Sequence, residues 1–138
     1  MSTTQQEQWV IPTYNGISYT NYLISTSGRL VSKSKYSKTK TKIQLEFGEY
    51  SEVKPLNCKL GYLTYNIYQT PDTRNIMYGH RLMWESFVCP ITPGMVIDHI
   101  NTQRDDNRLV NLQMITQSQN MIKAYSTDKQ IKKSKGKK

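Results

Sequence analysis

The sequence predicts an α+β protein made of small antiparallel β-hairpins with a packed helix. Three observations predict it. Turn residues separate runs of aromatic and β-branched residues, as at Asn15-Gly16 and at Pro71-Asp72-Thr73-Arg74-Asn75. From His80 the apolar spacing changes to four, with Met83 and Phe87, and then Trp84 and Val88, on one helical face. Near the C-terminal end, Thr116-Gln117-Ser118-Gln119 has the form of a capping box, so a second helix is expected to start at Gln117.

In chain order, residues 1–8 are polar and expected to be loose. Trp9 to Pro12 and Tyr19 to Ser25 read as a pair of short strands around the Asn15-Gly16 turn, and Arg29 to Ser32 as a third after Ser27-Gly28. Lys33, Lys35, Lys38, Lys40 and Lys42 follow. In an extended backbone Lys38, Lys40 and Lys42 share one face and suit a phosphate strand; a loop is the other reading. Residues 43–54 are too mixed to assign. Leu60 to Tyr68 and Ile76 to Tyr78 form a second expected hairpin. The helix from His80 is stopped by Pro90, and Arg81 can pair with Glu85 one turn on. Met95 to Ile100 and Leu112 to Ile115 are the last two strands, and the composition beyond Ala124 is too rich in Lys, Ser, Gly and Gln to form a core.

The chain of 138 residues is 36% apolar, enough for a modest interior. Its net charge is +9, with +6 from Arg29 to Lys42 and +6 from Met121 to Lys138, leaving −3 for the rest. Two basic patches on a slightly acidic body suit a polyanion gripped at two places. Two widely separated cysteines, Cys58 and Cys89, suggest reduced thiols and neither a disulfide framework nor a zinc site. No apolar run is long enough for a membrane span and no signal-peptide pattern opens the chain, so an intracellular location without a membrane partner is expected.

Asp98-His99, Asn111 and Asn120 are the residues with chemistry to offer. Phosphodiester hydrolysis needs an activated water, charge on the phosphorane and help for the departing oxygen. An imidazole changes charge near neutral pH, so His99 can take the water's proton. Asp98 and Asn120 supply one carboxylate and one amide oxygen, an incomplete hard set that suits Mg²⁺ or Mn²⁺ completed by water and phosphate. Asn111 is placed to bond the imidazole or the backbone across the hairpin and fix the tautomer of His99. His80, at the helix start, reads as a histidine bonded to backbone or phosphate.

Two stretches carry a resemblance. Trp9, Ile11, Tyr14, Gly16, Tyr22, Ile24, Ser25, Gly28 and Arg29 resemble the small N-terminal modular motif of many phage and intron-encoded homing nucleases, which implies a DNA contact at Arg29. His80 to Phe87, Gly94 to Asn101, Asp106 to Leu112 and Thr116 to Met121 resemble the HNH endonuclease family of homing type. Asn111 follows His99 by 12 and Asn120 follows Asp98 by 22. The resemblance implies a ββα-metal unit in which Asp98 and Asn120 hold one divalent ion, His99 is the general base and Asn111 is the family's central Asn. Asn120 stands where others carry His, a substitution of the homing branch.

The expected organisation is a flexible N-terminus (1–8), an N-terminal modular DNA-binding motif with its basic loop (9–54), an HNH nuclease domain (55–124) and a disordered Lys-rich tail (125–138). The expected function is a metal-dependent endonuclease that nicks double-stranded DNA, phage- or intron-associated and cytoplasmic, in the host cell if phage-encoded. Arg29, Lys33, Lys35, Lys38, Lys40, Lys42, His80, Arg81 and Arg108 are the expected DNA-binding residues. The competing readings are a non-catalytic DNA-binding protein with the same fold and an RNA-directed nuclease.

Overall fold

The computed structural model describes residues 6–33, 41–46, 48–58 and 60–123. The expectations for residues 1–5, for Lys35, Lys38 and Lys40, and for the tail from 125 lie outside the described residues.

Strands β1 (Trp9–Val10) and β4 (Tyr22–Ser25) pair antiparallel, with the small hairpin β2 (Thr13–Tyr14) and β3 (Ile17–Ser18) between them. Asn15 and Gly16 turn that hairpin with φ of 54° and 79°. Both values lie in the left-handed region a tight two-residue turn requires, which is why the Asn-Gly signal is readable. After the turn at Ser27-Gly28, β5 (Leu30–Ser32) pairs with β4. The mixed stretch that resisted assignment forms the hairpin β6 (Lys42–Leu45) and β7 (Gly48–Glu52), and β7 joins β5. The result is a five-stranded sheet in the order β1-β4-β5-β7-β6.

A second sheet has the order β10-β9-β8, from β8 (Leu56–Asn57), β9 (Leu63–Thr70) and β10 (Thr73–Tyr78). Helix α1 (Gly79–Phe87) follows β10 directly. The expected Arg81–Glu85 pair is not made. Tertiary partners take both side chains: Arg81 Nε donates to the Tyr14 hydroxyl at 3.1 Å, and Glu85 accepts from the backbone N–H groups of Asn15 at 2.7 Å and Ile91 at 3.0 Å. An exposed helical pair contributes only a few tenths of a kcal/mol, so such competition readily removes it.

The last hairpin pairs β11 (Met95–His99) with β12 (Leu112–Thr116) and runs into a helix over residues 117–123, here α2. Its start is the capping box read from the sequence: Gln119 N–H donates to Thr116 Oγ1 at 3.1 Å, and Thr116 N–H donates to Gln119 Oε1 at 2.9 Å.

One hydrophobic core serves all of these parts. Tyr22, Ile24 and Leu30 from the first sheet meet Tyr65, Ile67 and Met77 from the second, with Leu82 and Met83 of α1 and Ile97 and Leu112 of the last hairpin. Polar bonds cross the same boundary. The Tyr22 hydroxyl accepts from Tyr68 N–H at 2.9 Å, and the Tyr65 hydroxyl donates to the Gly28 carbonyl at 3.1 Å. Burial holds both phenols above their usual range, Tyr65 at about 12, so they stay neutral.

Candidate active site

Successive strand residues face opposite ways, so β11 sends Asp98 and His99 to different surroundings. His99 points into the protein and is 4% exposed. Its Nε2 lies 2.8 Å from Asn107 Oδ1. A carbonyl oxygen can only accept, so Nε2 carries the hydrogen and the neutral ring keeps its lone pair on Nδ1. The His80 ring stands 4.9 Å away and Tyr62 6.0 Å, and Tyr62 stacks on His80 at 5.1 Å.

Asn107 is the functional candidate that the sequence reading missed. It is buried, and it sits in a cradle made by two glycines. A Cβ on Gly79 would stand 2.6 Å from Asn107 Nδ2 and 3.0 Å from the Tyr65 ring. A Cβ on Gly28, whose φ is +89°, would stand 3.2 Å from the Asn107 backbone. The glycine of the N-terminal motif therefore buttresses the loop that positions His99. The Asp106-Asn107-Arg108 run was the available signal, but nothing in its spacing separates Asn107 from its neighbours.

Asn111 takes the backbone option of its two expected partners. Its Oδ1 accepts from Asn101 N–H at 3.0 Å, and its Nδ2 donates to Asn101 Oδ1 at 3.0 Å and to the Asp106 carbonyl at 2.8 Å. The register explains why it is not on the ring: His99 lies opposite Leu112, so Asn111 falls beyond the ladder, in a 3-10 turn (Leu109–Asn111). It staples the loop that carries Asn107, and the tautomer of His99 is fixed by Asn107 instead.

On the other face, Asp98 lies opposite Gln113, whose Nε2 donates to Asp98 Oδ2 at 2.9 Å. The same oxygen is 2.6 Å from Lys123 Nζ on α2, which also donates to the carbonyls of His99 at 2.7 Å and Ile100 at 3.2 Å. Asn120 precedes Lys123 by three residues, one turn earlier on the same helical side. Among the described residues no group of three or more His, Cys, Asp and Glu could hold a metal. The donor set nevertheless fits a hard cation. A carboxylate and two backbone carbonyls already converge on one positive charge, and the Asp98 side chain is only 10% exposed.

The expected DNA contacts divide by placement. Lys33 is exposed, and exposed Lys42 donates to Ser51 Oγ at 2.7 Å from β6. Arg108 is exposed and grips Asp106 through Nε at 2.8 Å and Nη2 at 2.7 Å, which holds the Asp106 carboxyl well below the usual carboxylate range. Arg29 is spent on ion pairs with Glu7 at 3.3 Å and Glu52 at 3.2 Å, and it lies over the Trp9 ring. Glu7 also accepts from Ser25 and Ser27, so the expected loose N-terminus is tied down at that residue. His80 lies in the interior beside His99. It is 7% exposed, and burial, then the nearby His99 and Arg81, lower its pKa to about 3.

The site is thus a hairpin that presents a carboxylate and an imidazole on its two faces and runs into a capped helix. The HNH endonuclease family matches residues 77–122, and that segment belongs to it. Among solved structures, the chain is similar to the HNH homing endonuclease I-HmuI, in a structure described as DNA binding and cleavage by that enzyme. The TM-score is 0.63 at 22% identity, over 91% of this chain, and the chain spans 66% of that protein's length. At this identity the likeness is one of fold. A search of curated proteins returned no match.

Proposed function

We propose that the chain is a metal-dependent DNA endonuclease that hydrolyses phosphodiester bonds and nicks duplex DNA, in the manner of phage- or intron-associated homing nucleases. The observation that carries this reading is the His99 tautomer: Nε2 is held by Asn107, so Nδ1 is left as the base. The family membership of residues 77–122 supports it, as does the fold shared with a protein described as binding and cleaving DNA.

In the proposed reaction His99 Nδ1 takes a proton from water. The oxygen attacks phosphorus, the bond from phosphorus to the 3′ oxygen breaks, and that oxygen leaves with a proton from solvent. Asn107 holds the resulting imidazolium through the same Nε2–H. His80 is neutral beside it, so the cationic ring does not face a second imidazolium. Asp98 and Asn120 are the protein's ligands for the divalent ion. When bound there, Mg²⁺ or Mn²⁺ supplies positive charge to the phosphate and to the departing oxygen. Lys33, Lys42, Arg81 and Arg108, with Lys35, Lys38 and Lys40, hold the duplex backbone, which carries no base preference by itself. One site per chain makes a single-strand nick the product.

The test is conversion of supercoiled plasmid by the purified chain with Mg²⁺ or Mn²⁺, repeated in excess chelator and with an RNA substrate. The expected result is nicked circles that require the metal. Salt-sensitive binding with no metal-dependent product would replace this reading with a DNA-binding protein lacking catalysis.

A further inference from the structure

Lys123 is used by none of the steps above, yet it makes the densest set of contacts to charge in the site. Its ammonium has three hydrogens and meets three oxygens: Asp98 Oδ2 at 2.6 Å, the His99 carbonyl at 2.7 Å and the Ile100 carbonyl at 3.2 Å. The carboxylate and ammonium are both largely withdrawn from solvent, with side-chain exposures of 10% and 27%. Weakly screened pairs of this kind are stronger than surface ion pairs. Two of the oxygens belong to the end of β11 and the residue after it, and the lysine reaches them from the helix that carries Asn120.

We propose that Lys123 is the built-in counter-ion of the Asp98 site, occupying the carboxylate in the metal-free protein and competing with the divalent ion for it. This rests on the reading of Asp98 as a metal ligand. An ammonium and a divalent ion cannot share one carboxylate oxygen at contact distance without strong repulsion. Metal entry therefore requires the lysine to swing out, and the observed affinity for metal is lowered by the cost of breaking its three contacts. The arrangement keeps Asp98 compensated and the hairpin closed on α2 when no metal is present. It also makes site occupancy depend on a supply of divalent ion high enough to displace the lysine.

A purely structural tether makes the opposite prediction, because its loss would loosen α2 and weaken metal binding. The experiment is titration of the full chain with Mn²⁺ alone, without DNA, followed by electron paramagnetic resonance. Wild type is compared with Lys123→Met, Lys123→Gln, Lys123→Arg and Asp98→Asn, each checked for folding by thermal unfolding. Removing a charge-assisted contact is expected to tighten Mn²⁺ binding in the Met and Gln variants by about tenfold or more, with the Arg variant near wild type. Binding unchanged or weaker in folded Met or Gln variants, with Asp98→Asn still losing the ion, overturns the counter-ion assignment and leaves the metal site standing. Wild-type affinity in Asp98→Asn removes the metal site itself, and the counter-ion with it.

Discussion

Asn107 shows what a single residue adds to this site. Its Oδ1 fixes which nitrogen of His99 carries the proton, and it packs where a Cβ on Gly79 or Gly28 would crowd it. Asn107→Ala is expected to reduce the cleavage rate by about 10- to 100-fold, the usual consequence of removing a partner that orients a reactive group. DNA affinity should stay near wild type, because Asn107 Oδ1 bonds the His99 ring. A loss of rate matched by loss of the folded state in thermal unfolding would place Asn107 in folding alone. The Asp98-His99 pair was legible because its chemistry is carried by neighbours in sequence. Asn107 was not, because its role depends on a loop returning to β11 across the core. The ion pairs of Arg29 were hidden for the same reason: its basic charge is visible in the sequence, while Glu7 and Glu52 reach it only in the fold.

At the scale of elements, legibility followed the range of the interactions. The capping box at Thr116 and the Asn15-Gly16 turn are set by residues within four positions of one another, and both are formed as read. The order of the five-stranded sheet is set by β7 pairing with β5 past the intervening strand β6, which no local pattern encodes. The cap also has a functional consequence, since α2 brings Lys123 to Asp98 and carries Asn120 one turn earlier. Thr116→Ala is expected to cost about 1 kcal/mol of stability. Denaturant titration should show that loss, and Mn²⁺ affinity should change with it. Unaltered stability would mean that the helix start does not depend on the Thr116 hydroxyl.

The described residues of the two sheets, α1 and the last hairpin share one hydrophobic core. His80 gives it a characteristic response to acid. The folded pKa of about 3 lies below the ordinary value of 6.5, so the unfolded chain binds the proton first. Stability contributed by the neutral ring is present above pH 6.5 and is lost as pH falls from there toward 3. Glu7 and Asp106, also lowered, begin to act only below their ordinary values of 4.5 and 3.8. Between pH 6.5 and 5 wild type should therefore lose roughly 1.5 kcal/mol more than His80→Phe, measured as a difference in urea midpoints. Parallel curves would show that His80 does not govern acid stability. Net charge makes a separate demand: DNA affinity should fall steeply with salt, and removal of residues 124–138 should make the slope of log affinity against log salt shallower. An unchanged slope would exclude the Lys-rich segment from the interface.

The most direct measurement is single-turnover cleavage of supercoiled DNA in Mg²⁺ by wild type and His99→Ala, with DNA binding measured on the same preparations. General-base catalysis contributes about 10²- to 10⁴-fold, so the variant should bind DNA as wild type does and cleave at least about 100 times more slowly. Equal cleavage by the two proteins would contradict the assignment of His99 as the base.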